Sequence, residues 1–219
     1  TALRNDPKDA QYIAILLASD SWTAWLYGAN AIARYDDKNA QTFLMTFLWK
    51  TDPAVRLAAT IGSNCKYDLP VKRLLWSAIN DPSDLVRAQA CIKLIQSDGA
   101  ANQEEGFKGV RDDSIWVRLS ILDFMKKNPS ESWRKAVQIA VADADAEVRA
   151  KALAALQALP GETKLEEIQN TLTDKDPRVQ SALVELALAK KLKLPSDTIA
   201  SLRSSLDTQV AARAKELAE

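Results

Sequence analysis

The sequence predicts an all-α protein, a right-handed α-solenoid of seven helical hairpins with about 14 helices. The main observation is a valine that recurs every 31 residues, and self-similarity at such an interval is typical of stacked-repeat proteins. Apolar residues around each valine follow the helical period, and Gly (6) and Pro (8) are scarce, as in helical chains. The valines are Val55, Val86, Val117, Val148, Val179 and Val210.

Seven periods of 31 residues account for 217 of the 219 residues, which predicts a single domain over 1–219. A solenoid grows along one axis by stacking units on their neighbours, so its length does not require a second domain. The predicted repeats are roughly 7–37, 38–68, 69–99, 100–130, 131–161, 162–192 and 193–219.

The second helix of each repeat carries the valine column, where a column means the equivalent positions of successive repeats. Offsets of zero, four and eight residues from the valine trace one face of a helix. The column four residues on is mostly small, which lets neighbouring helices approach closely. It holds Gly28, Ala59, Ala90, Ile121, Ala152, Leu183 and Ala214.

The first helix of each repeat has an apolar face seven and eleven residues before the valine. Gly106 interrupts this face in repeat four, which predicts a weaker or kinked helix there. The column at seven residues holds Leu17, Leu48, Ile79, Val110, Val141 and Leu172, and the one at eleven holds Ile13, Leu44, Leu75, Val137 and Ile168.

Turn signals separate the predicted helices. A column of capping residues stands three before the valine, and Pro53 and Pro177 follow at the first helical position. In the last repeat Arg203 and Lys215 replace apolar residues, which predicts a terminal cap. The capping column holds Ser21, Asp52, Ser83, Ser114, Asp145, Asp176 and Asp207, and a stop column holds Asp37, Asp68, Gly99, Ser130 and Gly161.

The segment Asp52-Pro53-Ala54-Val55-Arg56, followed by an Ala-rich helix, resembles a HEAT repeat of the short type found in phycobilisome-lyase-like proteins. The resemblance covers essentially the whole chain and implies an armadillo-like helical fold. HEAT arrays serve as scaffolds, adaptors and enzyme accessory domains, so the resemblance specifies the fold rather than one activity.

Composition excludes several kinds of chemistry. The chain has no histidine, which excludes imidazole metal sites and His-based catalysis. The 29 basic and 29 acidic residues balance, so the net positive field typical of nucleic-acid binding is missing. We therefore expect no enzyme activity, no cofactor and no metal. Cys91 is predicted to be a small buried hydrophobe, and a disulfide with Cys65 is not expected.

Arginines recur one residue after the valine, at Arg56, Arg87, Arg118 and Arg149. They could line a groove and bind phosphates or carboxylates. Aspartates recur as regularly five residues before the valine, so Asp–Arg pairing that holds the turns together is the favoured interpretation. These aspartates are Asp81, Asp112, Asp143 and Asp174.

Several aromatic residues occupy columns that are otherwise polar or small. Trp49 shares a column with Asn80 and Arg111, and Trp116 shares one with Glu147 and Arg178. Such positions are predicted to face solvent, where a tryptophan is a typical binding anchor, although each could instead fill a local packing gap. Repeat one adds Trp22, Trp25 and Tyr27, which are either groove-facing or part of the core.

The favoured function is a non-enzymatic scaffold or adaptor that binds another protein or peptide in its concave groove. Trp25 and Tyr27 would anchor the partner, and Arg56 and Arg87 would supply charge. Trp22, Trp49 and Trp116 are the further candidate contacts.

Other functions stay open as alternatives. The chain could be an accessory HEAT domain of a larger enzyme or part of a larger complex. It could also be a HEAT-like alkyl-base DNA glycosylase, since Ile115-Trp116-Val117-Arg118 is faintly similar to that family, but Ser120 stands where a carboxylate is expected. No run of about 18 apolar residues is present, so membrane insertion is not expected and a soluble, cytoplasmic protein is favoured.

Overall fold

The computed structural model describes residues 15–16, 18–33, 38–63, 68–97 and 103–217. Within these ranges the chain is helical with intervening turns and contains no strand. The all-α prediction is therefore confirmed. The chain divides into two compact units, residues 1–109 and residues 110–219.

Unit 1 packs its helices in two series. The second helices follow one another in chain order, since α1 packs against α3 and α3 packs against α5. Helix α2 packs against α4, and these are first helices of their repeats. The elements are α1 (Trp22–Ala33), α2 (Lys38–Met45) with a 3-10 turn (Thr46–Trp49), α3 (Pro53–Gly62), α4 (Asp68–Asn80), α5 (Asp84–Ser97) and α6 (Gln103–Gly109).

Unit 2 repeats this pattern. Helix α9 packs against α7, α8 and α10, and α10 packs in turn against α12. The elements are α7 (Ile115–Lys127), a 3-10 turn (Glu131–Trp133), α8 (Arg134–Val141), α9 (Ala146–Ala158), a 3-10 helix (Leu165–Thr171), α10 (Pro177–Lys190), α11 (Ser196–Arg203) and α12 (Thr208–Ala214).

The valine column forms the core of both units. All six valines are at most 7% exposed, and every residue of the column four positions later is buried as well. Burying an aliphatic side chain of this size stabilises the fold by roughly 1.5–3 kcal/mol. The recurring apolar stripe thus packs each second helix onto its neighbour within the unit.

Aspartates cap the second helices as predicted. The Asp52 carboxylate accepts a hydrogen bond from the Ala54 N–H at 2.8 Å. Asp145, Asp176 and Asp207 accept from the N–H groups two residues later, at 2.7 to 2.9 Å. These bonds satisfy amides that the helix leaves without an intrahelical partner. Pro53 and Pro177 occupy the first helical position, which is also confirmed.

The structure corrects three details of the pattern. Ile79 lies in an apolar column but is 52% exposed. Asp68, predicted to end a repeat, begins α4. The first helix of repeat six is the 3-10 helix Leu165–Thr171, where the Thr171 hydroxyl bonds the Ile168 carbonyl at 2.8 Å and tightens the last turn. The first helix of repeat four is described over Gln103–Gly109, and the weaker or kinked helix expected from Gly106 stays a prediction.

Arg203, which replaces an apolar residue in the last repeat, is bound by peptide carbonyls. Arg203 is half-buried and donates to the carbonyls of Ala214 at 3.4 Å and Leu217 at 2.9 Å. These carbonyls lie at and beyond the end of α12, where backbone acceptors lack helical partners. Lys215 is exposed. Ile13 and Leu17 of the first helix predicted for repeat one, and Cys65, fall outside the described residues, whereas Cys91 is buried as predicted.

Candidate interaction surface

Arg56 is bound on all sides by its own chain. Its Nε and Nη2 donate to the Asp81 carboxylate at 2.8 and 2.9 Å. Its Nη1 donates to the carbonyls of Lys50 at 2.9 Å and Thr51 at 2.7 Å. The bond to Asp81 raises the pKa of the Arg56 guanidinium above its usual value. This group therefore joins the turn of its own repeat to the turn of the next.

Unit 2 contains two equivalent pairs, each formed by an arginine and the aspartate of the next repeat. We call such a pair a rung. Arg118 pairs with Asp143 at 2.9 Å, and Arg149 pairs with Asp174 at 2.7 Å. In each case the aspartate also accepts the N–H two residues later, at 2.8 Å for Asp143 and 3.0 Å for Asp174. The aspartate thus fixes its own turn and the arginine of the preceding repeat, which confirms the predicted Asp–Arg ladder at these positions.

The next rung keeps the geometry with neutral groups. The Gln180 Nε2 donates to the Asp174 carbonyl at 3.0 Å, and its Oε1 accepts from the Ser205 hydroxyl at 2.7 Å. Gln180 stands one period after Arg149, and Ser205 one period after Asp174. An open cleft of about 610 Å³ lies beside this rung, with Leu206 at its edge.

Arg87, the other predicted charge contact, is also anchored on its own turn. Its Nη1 donates to the Asp81 carbonyl at 2.8 Å and to the Pro82 carbonyl at 3.4 Å. Both Arg56 and Arg87 therefore serve turn structure through these bonds. A partner would have to compete with existing hydrogen bonds to engage them.

The aromatic residues of repeat one divide between core and surface. Trp25 is partly buried and packs against the cluster of Leu44, Met45, Leu48, Ala58 and Ala59. Tyr27 is 70% exposed. Trp22 begins α1, and its side chain lies outside the described part of the chain.

Trp49 belongs to an exposed aromatic group in unit 1. Trp49 and Trp76 are 52% and 44% exposed, and their ring centroids lie 4.9 Å apart at an angle of 50°. The Arg73 guanidinium stands 4.8 Å from the centroid of the Trp49 ring. We call Trp49, Trp76 and Arg73 the tryptophan patch. It is formed by the 3-10 turn after α2 and by α4, so it lies on first helices rather than second helices.

Trp76 was missed by the column analysis. Its equivalent one repeat earlier is Met45, which is buried, so equivalent positions differ in exposure here. The spacing held a usable signal. The equivalent of Trp49 in the next repeat is Asn80, and Trp76 stands four residues before it. Residues four apart share one face of a helix, so Trp76 lies on the face of α4 that carries Asn80. This face can meet Trp49 on the neighbouring first helix.

A second ring pair adjoins the patch in sequence. The Phe43 and Phe47 rings are 5.3 Å apart in an edge-to-face arrangement, and Phe43 is exposed. The Lys50 ammonium stands 5.9 Å from the Phe47 centroid.

In the described part of the chain, neither Arg73 nor Lys50 forms an ion pair with a carboxylate. Both cations therefore lie over aromatic rings, and no described carboxylate pairs with either of them.

Trp116 is exposed but stands apart in unit 2. Its side chain is 66% exposed near the start of α7. Its column neighbours Glu147 and Arg178 are exposed as well, with 3.9 Å between their charged groups. Among the described residues Trp116 has no aromatic ring partner.

The described residues contain no group of three or more His, Cys, Asp or Glu side chains placed to hold a metal ion. None of the helices in these ranges combines the length and apolarity needed to cross a bilayer.

No family model matches the chain, and no curated protein is significantly similar to it.

Proposed function

We propose that the chain is a HEAT-like solenoid of seven helical hairpins that acts as a non-enzymatic scaffold or adaptor for another protein or peptide. The observation that carries this proposal is the tryptophan patch, in which two indoles are about half exposed and in contact. The 31-residue recurrence and the packing of successive second helices within each unit support the solenoid.

Burial of the two exposed indole rings by a partner would contribute substantially to the free energy of binding. Half of a tryptophan side chain is roughly 100 Å², so the pair offers about 200 Å² of largely apolar surface. At about 25 cal/mol per Å², covering both rings would supply up to about 5 kcal/mol. Tryptophan is also enriched among the residues that dominate binding energy.

The turns next to the two elements that carry the patch are joined by hydrogen bonds, which favours recognition. The Arg56–Asp81 rung fixes the turn after Trp49 to the turn after α4, because Arg56 binds the Lys50 carbonyl and the Asp81 carboxylate together. Side chains presented by ordered elements lose less conformational freedom when a partner binds. In this proposal the rung positions the tryptophan patch.

The proposed site differs from the groove that the sequence suggested. Trp25 packs on the core and Arg56 is saturated with internal bonds, so neither is proposed as a contact. Trp49 remains a contact, now with Trp76 beside it. Trp116 and Tyr27 stay secondary predictions, and the accessory-domain and glycosylase functions stay alternative predictions.

Affinity capture from a lysate of the source organism tests the proposal. The bait is the full chain, compared with Trp49→Ala, Trp76→Ala and the control Leu206→Ala, which removes an exposed apolar side chain of unit 2. We expect one protein to be retained by the wild type and by Leu206→Ala but lost with either patch variant. Retention that is identical for all four baits would refute the patch as the binding site.

A further inference from the structure

We propose that the segment bound at the tryptophan patch is acidic, with a carboxylate placed next to a large apolar side chain. This inference rests on the proposed function, since it names the chemistry of the partner at the same site.

Charge complementarity is the first argument. Arg73 lies 4.8 Å from the Trp49 centroid and Lys50 lies 5.9 Å from the Phe47 centroid. Neither makes an ion pair in the described part of the chain, whereas Arg56 nearby is bound to Asp81. A carboxylate can bind Arg73 or Lys50 without displacing any acid among the described residues. A basic segment would meet two like charges.

The position of Arg73 strengthens the argument. Its guanidinium carbon lies 4.8 Å from the Trp49 ring centroid, and a guanidinium can bind a carboxylate in bidentate fashion beside that ring. The apolar side chain of the segment would cover Trp49 and Trp76. The acidic residue closest in sequence to Trp49 and Lys50 is Asp52. It is exposed, and one of its carboxylate oxygens caps α3.

A single-stranded nucleic acid is the competing occupant, because its bases also stack on aromatic rings. Nucleic-acid affinity depends on neutralising several phosphates along a strand. Among the described residues, the patch offers the cation Arg73 and the adjoining Phe47 ring carries Lys50, on a chain with no net charge. A short acidic segment therefore fits the charge of the patch better than a polyanion does.

A random peptide display library, selected against the full chain, tests the inference. We expect enrichment of peptides that combine Asp or Glu with Leu, Phe or Trp. Fluorescence anisotropy with a labelled selected peptide then compares variants. Arg73→Gln should weaken binding about tenfold, Trp49→Ala should weaken it at least as much, and the control Lys175→Gln, an exposed cation of unit 2, should leave it unchanged.

Three outcomes would overturn the acidic segment: enrichment of basic or uncharged peptides, an unchanged affinity in Arg73→Gln, or tighter binding of an oligothymidylate than of the selected peptide. If basic or uncharged peptides are enriched and Trp49→Ala abolishes their binding, the interaction site stands and only the partner chemistry is wrong. If no peptide is enriched and capture is the same for every bait, both proposals fail.

Discussion

Asp81→Ala should destabilise unit 1 more than any surface substitution, because it leaves a buried guanidinium without its carboxylate. The side chains of Asp81 and Arg56 are 1% and 9% exposed. The substitution removes two charge-assisted hydrogen bonds from Arg56 and the bond from the Ser83 N–H at 2.9 Å.

The expected cost follows from this geometry. Removing one member of a buried ion pair destabilises a protein by about 3–5 kcal/mol. Arg56 keeps its bonds to the Lys50 and Thr51 carbonyls, which places the loss near the lower end, at about 3 kcal/mol. Asp81→Asn should cost less, since the amide oxygen can still accept a hydrogen bond.

Urea unfolding followed by far-UV circular dichroism measures the effect. With a slope of about 1–3 kcal/mol per molar urea, a loss of about 3 kcal/mol lowers the midpoint by at least about 1 M. Glu104→Ala is the matched control, because it removes an exposed carboxylate from the same unit and should change the free energy of unfolding by less than about 0.5 kcal/mol. Equal midpoints for Asp81→Ala and Glu104→Ala would refute the structural role of the rung.

Three further predictions concern unit 2. Ala152→Leu should lower the free energy of unfolding by about 1–3 kcal/mol in urea melts, because Ala152 is fully buried where α9 meets its neighbours. An unchanged free energy of unfolding would contradict the close packing of these helices at Ala152. Gly161→Ala should cost about 1–2 kcal/mol by the same assay, since Gly161 has φ +81° and an added Cβ would lie 3.3 Å from Arg134 Nη2; an unchanged midpoint would count against this strain. The hydrogen bond with the Arg178 side chain lowers the pKa of Asp176 from 3.8 to about 2. The stabilisation from this pair is therefore complete at pH values above 3.8 and is lost as the pH falls through about 2. An NMR titration should show Asp176 ionised at pH values where ordinary aspartates are protonated, and Arg178→Ala should move its pKa back towards 3.8.

Much of the architecture could be predicted because it depends on local and periodic rules. The valine column is buried, and the aspartate caps bond the amides that their position predicts. The rungs followed from the equal recurrence of arginine and aspartate. Each of these features needs only the residue types and the repeat interval.

The surface was harder to predict, because column equivalence assumes that every hairpin docks in the same way. Ile79 and Trp76 are exposed although Leu48 and Met45, their equivalents one repeat earlier, are buried. The segment around Leu48 is a 3-10 turn, whereas Ile79 lies on the α-helix α4, so equivalent residues point differently. The same limit explains Trp25, whose burial depends on the neighbouring hairpin.

The most direct test separates binding from folding at Trp49 and Trp25. We predict that Trp49→Ala lowers the free energy of unfolding by about 1–3 kcal/mol, because half of the ring is buried against Trp76 and Arg73, and lowers the affinity for the captured partner or selected peptide at least about tenfold under conditions where the variant is folded. Trp25→Ala should lower the stability of unit 1 by about 1–3 kcal/mol and, under conditions where it is folded, leave that affinity unchanged. A Trp49→Ala variant that unfolds more easily yet binds as tightly as the wild type would contradict the account.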